Sequence, residues 1–565
     1  MSIVYRVNTT TKEITHEELK EEYRLLGGRS LIARVLTDEV NPQCDPLGAG
    51  NKLILCTTLL AGTTLPMAHR LSVGGKSPLT GGIKEANSGG TAASMLARHG
   101  IKMIILEGLP QTNDWHILHI QKDGTPEFMD AVDYLGLNNY DFAAKMQERF
   151  GKDVGVISIG VAGERGYRNS TVQLIDASTG YPSRAAARGG LGALMGAKKI
   201  KAVVIEKAAN RYNFPYADKE RYEAVRKKYI QRVLSSPRTE SMQKTGTISM
   251  IDFTSTVAAL PVRNFSGQFF EQAEAIKSKA FVERAFVGGG KNKEGCQPGC
   301  IVRCSNRFHT KDGEYLTSGL EYETVALCGS NCGIADLDVI ARLDRMCDDL
   351  GVDTIETGAT IAVCMEAGKV PFGDGEGAIA LLQEMMDGTE FGRLMGQGTE
   401  AVGKALGVKR IPTVKGQALP AYDPRNIKGL GVTYSTSAMG ADHTAGMTLG
   451  PGIDPSKKDF QVEKSRQSQM GAAVTDSFTC SFGWGELNND EILPEVMSSL
   501  YGGEWTFEQI MNIGKETIKL ERAFNKAAGF TGDDDCLPTF FYTEASATGT
   551  VFDISPEEMQ EIFNY

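Results

Sequence analysis

Three cysteines lie at equal four-residue intervals in the segment GCQPGCIVRCSN, residues 295–306. Cys296, Cys300 and Cys304 are close enough in the chain to converge on one inorganic centre, and thiolates are soft ligands that suit zinc and iron–sulfur clusters. The same spacing would also place three buried thiols on one face of a helix. The intervening QPG disfavours a helix, because proline and glycine both penalise its interior. The spacing therefore favours a loop around a metal centre, and a cubane cluster would need a fourth ligand.

Length and charge set the outer limits on fold and partners. A chain of 565 residues is long enough for about two to four domains with ample core. A net charge of −10 disfavours a surface for nucleic acid or anionic membranes. The first residues have no apolar segment typical of a secretory signal, and no run of about 18 apolar residues predicts a membrane span. Eleven cysteines without export indicate reduced thiols or metal ligands, so we expect a cytoplasmic protein.

Glycine is concentrated in the N-terminal part of the chain, where glycine pairs separate short strand-like segments. The chain holds 64 glycines, about 11% of its residues against a usual ~7%. The predicted strands, the first of which enters a hairpin, are Ile3–Val7, Lys52–Thr57, Met103–Glu107, Val154–Gly160 and Ala202–Glu206. The glycine pairs could let the backbone approach a ligand such as phosphate, or they could form tight turns. No phosphate-loop motif occurs and no GxGxxG opens a helix after a strand, so a nicotinamide-binding fold is not expected.

Beyond residue 208 the sequence changes from β-rich to helical. The segments predicted to be helical are Lys219–Leu234, Asp336–Leu350, Ile355–Ala367, Gly377–Met386, Gly392–Leu406, Ile492–Leu500 and Phe507–Ala528. Breaks fall at Ala208–Asp218 and Pro412–Pro424. We therefore expect an α+β protein with a β-rich domain, residues 1–208, and two mostly α-helical domains, residues 209–414 and 415–565.

Four longer segments resemble one family of enzymes. They are HRLSVGGKSPLTGGIKEANSGG (69–90), RAAARGGLGALMGAKKIKAVVI (184–205), EYETVALCGSNCGIADLD (321–338) and CDDLGVDTIETG (347–358). Together they resemble the aldehyde:ferredoxin oxidoreductase family of tungsten and molybdenum enzymes, in one unbroken order that extends to about Leu537. Several independent motifs at compatible spacings make this resemblance more specific than any single pattern.

The resemblance implies a fold and a cofactor. In that family, two sheets of a β-domain form the base over which the cofactor lies, and two helical domains complete the binding site. Tungsten or molybdenum is held by the dithiolene sulfurs of two pyranopterins, whose phosphates are bridged by Mg²⁺. We therefore expect the bis-pyranopterin cofactor on residues 1–208. Three cluster cysteines and a first pterin motif would lie in residues 209–414, and a fourth cysteine and a second motif in residues 415–565.

By the same resemblance, four cysteines hold a [4Fe–4S] cluster: Cys296, Cys300, Cys304 and Cys480. The family usually has two residues between its first two cysteines, whereas this chain has three. A loop can absorb one extra residue without losing a thiolate. Taken alone, Cys480 would be interpreted as a buried core cysteine. Cys328 and Cys332 are also four residues apart, but their helical and apolar surroundings favour core packing.

Two aspartate motifs are implied to bind the pterins. Asp348 and Asp353 match the family element DxxGLD, with valine in place of leucine, and would accept hydrogen bonds from pterin N–H groups. Without the resemblance, these two residues would be interpreted as a solvated acidic helix end. Asp476 belongs to the second motif, although it precedes Cys480 by four residues rather than five.

Further cofactor contacts are implied in the β-rich domain. Arg70 resembles an arginine between the cluster and a pterin. Asn87 and Ala186 match positions whose backbone carbonyls bind Mg²⁺, a hard cation that prefers oxygen ligands. Arg188, in the same segment as Ala186, is likewise expected to bind the cofactor.

Glu323 and His443 resemble the acid–base pair that lies beside the metal in the family. Both side chains can titrate near working pH when buried. Without the resemblance, His443 would be interpreted as a satisfied core histidine. Glu321 could exchange roles with Glu323, because the two lie in a segment expected to be extended.

The implied reaction is the oxidation of aldehydes to carboxylic acids, with electrons passed through the cluster to ferredoxin or a ferredoxin-like subunit. An alternative is a catalytic subunit of a multi-subunit electron-transfer complex that acts on a non-aldehyde substrate. A non-catalytic iron–sulfur scaffold is a further alternative, disfavoured by the presence of Glu323 and His443. No ExxH occurs of the kind that binds an interface iron in some members, so a homodimer would lack that iron.

Overall fold

The computed structural model describes residues 1–450, 452–488 and 491–565, and its first part is built on β-strands. The strands of this part are β1 Ile3–Asn8, β2 Glu13–Glu18, β3 Leu53–Thr57, β4 Leu71–Lys76, β5 Ile83–Ser88, β6 Ile101–Glu107, β7 His116–Ile120, β8 Pro126–Asp130, β9 Gly155–Ser158, β10 Val172–Leu174, β11 Arg184–Ala186 and β12 Ile200–Ile205. Its helices are α1 Gly28–Glu39, α2 Ala92–Arg98, α3 Asn139–Phe150, α4 Val161–Glu164 and α5 Leu191–Ala197.

These strands form two mixed six-stranded sheets. The order is β2-β1-β6-β3-β4-β5 in the first sheet and β11-β10-β9-β12-β7-β8 in the second. Only the β1–β6 and β12–β7 pairs are parallel; the remaining neighbours are antiparallel. Leu55 and Ile104 from the first sheet share one hydrophobic core with Ile157 and Val203 from the second. The two sheets therefore pack on each other, as two faces with buried apolar side chains must.

The rest of the chain is mostly helical. Its helices are α6 Lys219–Ser235, α7 Pro237–Thr245, α8 Ser249–Thr256, α9 Ser278–Ala285, α10 Tyr322–Leu327, α11 Leu337–Leu350, α12 Thr354–Glu366, α13 Gly375–Asp387, α14 Glu390–Met395, α15 Thr399–Leu406, α16 Lys428–Thr436, α17 Gln461–Phe478, α18 Ser481–Leu487, α19 Ile492–Tyr501, α20 Phe507–Ala528, α21 Phe540–Thr543 and α22 Pro556–Gln560. The short strands β13 Lys291–Glu294, β14 Ser305–His309 and β15 Tyr315–Ser318 form one small sheet, and β16 Thr413–Val414 pairs with β17 Gln417–Ala418.

The expected α+β class is confirmed, and so are the five predicted strands and the first hairpin. One helix prediction is wrong: residues 392–406 do not form a single helix, because α14 ends at Met395 and α15 begins at Thr399. Gly398 has φ +96° there, a left-handed conformation that interrupts a right-handed helix. Helix α11 begins and ends close to its predicted limits, and both ends are capped. Asp336 accepts hydrogen bonds from the backbone N–H groups of residues 338 and 339, and Gly351 ends α11 in the left-handed conformation.

Helix α1 joins the β-rich part to the helical part. It packs on strands β3–β5 and on helices α17 and α20. Arg29 in α1 is almost fully buried and donates two hydrogen bonds to Glu521 of α20, Nε–Oε1 2.8 Å and Nη2–Oε2 2.9 Å. This bidentate geometry compensates both charges, as buried ions require.

Among the described residues, no single helix has both the length and the apolar composition needed to cross a membrane. One sharply bent pair, Tyr322–Cys332 with Leu337–Leu350, passes that test of length and composition together.

Replacing Arg29 by alanine should lower the free energy of unfolding by about 3–5 kcal/mol, because Glu521 would keep a buried and unpaired charge. Arg34→Ala in the same helix is the matched control: its ion pair with Asp38 is exposed, and its loss should cost less than about 1 kcal/mol. Urea unfolding followed by circular dichroism measures both. Equal destabilisation by the two variants would contradict the role given to the buried pair.

Candidate functional site

The β4–β5 hairpin brings two predicted cofactor residues together. Ser72 pairs with Asn87 across the hairpin, so Arg70 lies beside Asn87 just outside the ladder. The Arg70 Nε donates to the Asn87 side-chain oxygen, and its Nη2 donates to the Asn87 carbonyl at 3.3 Å. Ala186 ends β11, which packs against β5, and is fully buried. The two predicted magnesium-binding positions therefore lie on neighbouring strands of the two sheets.

The three closely spaced cysteines lie in a loop rather than a helix, as their sequence predicts. Cys296 and Cys300 belong to the connection between β13 and β14, and Cys304 directly precedes β14. Gly299 supplies a left-handed turn there, φ +76°. Cys480 lies far away in sequence, at the N-cap of α18, where its N–H donates to the Met67 carbonyl at 3.2 Å.

The four thiols lie close together, and Cys480 acts electrostatically on the other three. Burial raises the pKa of the Cys300 thiol to about 12, and the neighbouring Cys296 and Cys480 add to this rise. Burial also raises the pKa of Cys304, with contributions from the other three cysteines. Such a set of mutually repelling groups fits a shared cationic centre, which would remove the cost of ionising each thiol.

Two arginines flank these thiols. The Nη1 of Arg70 lies 3.9 Å from the Cys480 sulfur. Burial raises the pKa of Cys296, whereas the positive charges of Arg184 and Arg70 oppose that rise. In the described residues no group of His, Cys, Asp or Glu could hold a single metal ion. A multi-iron cluster is consistent with this, because its cysteines bind different irons.

The two aspartates of the first motif are buried rather than solvated. Asp348 is 9% exposed and accepts a hydrogen bond from Gln173 Nε2 at 3.0 Å. Burial raises its pKa well above the usual value, and the charge of Asp344 adds to the rise. Asp353 is 2% exposed and caps α12 by accepting from the backbone N–H of Ile355 at 2.9 Å. The interpretation as a solvated acidic helix end is therefore wrong.

Arg188 links Asp353 to two backbone carbonyls outside the helices. Its Nε donates to Asp353 Oδ2 at 3.0 Å, and its two Nη groups donate to the carbonyls of Ala441 and Ala418 at 2.6 and 2.7 Å. Glu356 lies 3.7 Å from the same guanidinium. Both neighbouring carboxylates and both carbonyls hold this buried cation in one orientation.

A second group of buried charges surrounds Asp476 and Asp442. Asp476 lies 3.4 Å from Arg29, and burial raises its pKa to about 6 while Arg29 and Arg70 oppose the rise. Asp442 forms an ion pair with Lys84 at 3.1 Å. Burial would raise the pKa of Asp442, but the positive charges of Lys84 and Arg188 outweigh burial and lower it.

Several buried polar atoms near these residues have no hydrogen-bond partner among the described residues. They include the side-chain oxygen and nitrogen of Asn169, Ser170 Oγ, Ser183 Oγ, Gln417 Oε1, Tyr434 OH and Glu85 Oε1. Asn169 adjoins Asp353, whose N–H donates to its carbonyl at 3.0 Å, and Gln417 donates to the same Ala441 carbonyl as Arg188. Buried polar groups are almost always satisfied. Unsatisfied donors and acceptors beside buried arginines and lysine therefore fit a polar, anionic cofactor such as a pair of pterin phosphates.

Glu323 and His443 come together although 120 residues separate them. Glu323 Oε1 lies 3.3 Å from His443 Nδ1, and Glu323 Oε2 accepts from the backbone N–H of Ala421 at 2.8 Å. Burial raises the pKa of Glu323, whereas His443 opposes the rise. The Tyr422 ring packs on His443 with centroids 5.7 Å apart. The two side chains therefore lie within ion-pair distance beside an aromatic ring, although Glu323 Oε1 and His443 Nδ1 form no hydrogen bond with each other.

The expected extended segment around Glu323 is instead a helix start. Glu321 is the N-cap residue of α10 and Glu323 lies in its first turn, so the two side chains diverge. Glu321 accepts from Thr247 Oγ1 at 2.6 Å and interacts electrostatically with Cys304 and Arg184. Glu323, not Glu321, is therefore the partner of His443.

The sequence did not single out several residues of this site. Two of them, Lys84 and Glu356, lie within the segments that resemble the family, and Asp442 directly precedes His443. Their positions in the sequence could therefore have indicated them. Arg29 and Tyr434 carried none, because their roles depend on contacts between distant segments.

Cys328 and Cys332 pack in the helical core, as predicted. Both are fully buried, and their thiols lie 3.3–3.8 Å from the backbone carbonyls of residues 327, 354 and 358. The glycine pairs have mixed roles. Gly74 lies inside β4, where a Cβ atom would come within 2.4 Å of Ile32, and a Cβ on Gly89 would come within 2.8 Å of the Cys296 sulfur.

Comparison with protein families gives two matches that follow one another along the chain. Residues 4–207 match the N-terminal domain of aldehyde ferredoxin oxidoreductase, and residues 224–564 match its domains 2 and 3. The chain is 32% identical to a tungsten-containing aldehyde ferredoxin oxidoreductase of Pyrococcus furiosus, over 96% of this chain and 92% of that protein. It is 30% identical to the enzyme of the same name from Thermococcus kodakarensis, with the same coverage.

Two further relatives carry different names. The chain is 25% identical to the WOR-like subunit of an aliphatic sulfonate oxidoreductase of Pyrococcus furiosus, over 95% of this chain and 88% of that protein. A solved structure of the benzoyl coenzyme A reductase active-site complex BamBC, with bound 1,5-dienoyl-CoA, has a similar fold with a TM-score of 0.79. The alignment covers 99% of this chain and 93% of that chain, with a sequence identity of 17%.

Replacing Cys304 by serine should remove most of the iron, because a cubane cluster loses stability with one thiolate fewer. Iron is measured per chain in anaerobically purified protein, with about four atoms expected in the parent. Cys536→Ser is the matched control: this half-buried thiol lies 3.1 Å from the Asp533 carbonyl, in no contact with the four cysteines, and its variant should keep all iron. Full iron content in the Cys304 variant would contradict the ligand assignment.

Proposed function

The chain belongs to the aldehyde ferredoxin oxidoreductase family, and we propose that it oxidises aldehydes to carboxylic acids. The proposed cofactor is tungsten or molybdenum in two pyranopterins bridged by Mg²⁺, with a [4Fe–4S] cluster that passes electrons to ferredoxin or a partner subunit. The relatives named as tungsten-containing aldehyde ferredoxin oxidoreductases support this choice. The observation that carries it is the close pair of Glu323 and His443, in a region where buried polar atoms remain unsatisfied.

The proposed cofactor contacts divide between the two parts of the chain. Asp348, Asp353 and Asp476 would accept hydrogen bonds from the two pterins, and their burial excludes competing water. The buried cations Arg188 and Lys84 would balance the negative charge of dithiolenes and phosphates. The backbone carbonyls of Asn87 and Ala186 would bind Mg²⁺, and the four cysteines the cluster.

The reaction needs one water, the removal of two electrons and the release of three protons: RCHO + H₂O → RCOO⁻ + 3H⁺ + 2e⁻. When bound, the metal centre accepts two electrons and the cluster transfers them singly. The chain's own contribution is proton transfer: the Glu323 carboxylate and the His443 imidazole take up protons as water adds to the aldehyde carbon. The backbone N–H of Ala421 holds the Glu323 carboxylate in place, and the Tyr422 ring fixes the His443 ring and limits water.

Arg70 has a proposed electrostatic role between the two centres. It contacts the Cys480 sulfur on one side and Asn87 on the other. A guanidinium at this point would lower the energy of an extra electron on a cluster held by Cys480. Its position therefore suits electron transfer from the metal site towards the cysteines.

A catalytic subunit that acts on a non-aldehyde substrate is the second candidate. The relative described as a WOR-like subunit of an aliphatic sulfonate oxidoreductase favours it, although its identity of 25% is lower than that of the aldehyde enzymes. Co-purification of small ferredoxin-like proteins would support this second candidate.

The proposal is tested on anaerobically purified protein from a host supplied with tungstate and molybdate. We expect about four iron atoms and about one tungsten or molybdenum atom per chain, and aldehyde-dependent reduction of ferredoxin or a viologen dye. A fully loaded protein that oxidises none of a series of aliphatic and aromatic aldehydes would reject aldehyde oxidation and leave the second candidate. A protein that holds neither heavy metal nor pterin would reject both.

Replacing Glu323 by glutamine should reduce kcat by about a hundredfold or more, because the amide keeps the shape but cannot take a proton. Metal and pterin content should be unchanged, which separates a proton-transfer role from loss of cofactor. Glu376→Gln, on an exposed ion pair with Arg342, is the control and should retain full kcat. Loss of turnover in Glu321→Gln rather than in Glu323→Gln would assign the base to Glu321 instead.

A further inference from the structure

A cavity of about 390 Å³ opens beside the cysteine loop. Its wall comes from the β3–β4 connection, the end of α2, residues 211–212, helix α6 and the loop between Cys296 and Cys304. This volume suits a small molecule or an inserted side chain. None of the residues proposed above to bind the pterins or to transfer protons lines it.

The wall of this cavity is strongly basic. It contains Arg98, Arg211 and Arg226 and no aspartate or glutamate, although the whole chain carries a net charge of −10. Arg226 is neutralised by Glu223, at 2.8 and 3.0 Å. In the part of the chain that the structure describes, Arg98 and Arg211 form no ion pair, and no acceptor is bound to either guanidinium.

His69 lies in the wall of the same cavity. Its Nε2 accepts a hydrogen bond from the backbone N–H of Gly62 at 3.4 Å, so the proton of the neutral ring is on Nδ1. The Nδ1 atom is buried and has no partner among the described residues. An N–H donor without an acceptor is costly in a buried position. A negative charge nearby would reduce this cost through the N–H dipole, although the enclosed atom cannot touch a ligand.

The cavity adjoins the proposed cluster directly. Pro298, Gly299 and Ile301, which lie between the cluster cysteines, line its wall. Arg70, the residue after His69, contacts the Cys480 sulfur at 3.9 Å. A charge in the cavity would therefore lie close to the proposed cluster and act on it electrostatically.

We propose that this cavity binds an oxyanion, a carboxylate or phosphate group, held by Arg98 and Arg211 beside the cluster loop. Guanidinium groups suit such ligands because their planar N–H donors match two oxygens at once. The group comes either from a free anion or from a carboxylate of an acidic electron carrier. The oxyanion site does not depend on the proposed aldehyde oxidation. A carboxylate of an electron carrier as its ligand does depend on that proposed function.

Binding of a free anion is tested with inorganic phosphate. It is titrated calorimetrically into the anaerobic holoenzyme and into three variants whose folding is checked by circular dichroism. Arg98→Gln and Arg211→Gln should each raise the Kd for phosphate about tenfold or more, the effect of losing one charge-assisted contact. Arg393→Gln is the matched control: it is exposed, lies in α14 away from the cavity, and should leave the Kd unchanged.

The second source is tested with ferredoxin as electron acceptor. If a carrier supplies the carboxylate, Arg98→Gln and Arg211→Gln should raise KM for ferredoxin several-fold and leave KM for a small viologen dye unchanged. The proposal is overturned if both variants match the parent and Arg393→Gln in phosphate affinity and in KM for ferredoxin. The calorimetric measurement needs no turnover, so it also tests the site in an enzyme that is loaded with cofactor but inactive. If such an enzyme binds no phosphate, the oxyanion site is rejected.

Discussion

The site depends on buried cations of the β-rich part that meet anionic or thiol groups of the helical part. Arg29 pairs with Glu521, Lys84 with Asp442 and Arg188 with Asp353, and Arg70 lies against the Cys480 sulfur. The charges of the three ion pairs are nearly inaccessible to water, so each needs its partner from the other part of the chain. These contacts fix how the two sheets face the helices. Several of the unsatisfied buried polar atoms, among them those of Asn169 and Gln417, lie beside these contacts.

This arrangement gives the three proposed functions separate places in the molecule. The pair of Glu323 and His443 is tied to the β-rich part through Asp442, which lies 4.0 Å from His443 and is bound to Lys84. Arg70 contacts the cysteines at a different place, and the basic cavity adjoins the cysteine loop without sharing a residue with the acid–base pair. Substrate chemistry, electron transfer and the proposed oxyanion site can therefore each be tested by their own variants.

Much of the fold followed from local patterns. The strands and their glycine-rich connections were predictable because alternation and turn residues are local signals, and helix α20 carries a capping box at Thr506 and Gln509. The division of residues 392–406 was not predictable, because the positive φ of Gly398 depends on its tertiary surroundings, where a Cβ atom would come within 2.9 Å of Leu79. At the site, motifs indicated Asp348 and Asp353, but not that both would be buried. The helical start that separates Glu321 from Glu323 was also not visible in the sequence.

The sequence by itself determined the family, the α+β class and the cysteine loop, because motif order and short-range spacing are written directly in the chain. Only the tertiary structure decided which charges meet. Glu323 faces His443 across 120 residues, and Arg29 faces Glu521 across 492. Such pairs depend on how whole sheets and helices pack. Because burial removes each charge from water, an unpaired charge would cost free energy, and the pair is favoured. The basic cavity arose in the same way, since its arginines come from three separate segments that no local pattern connects.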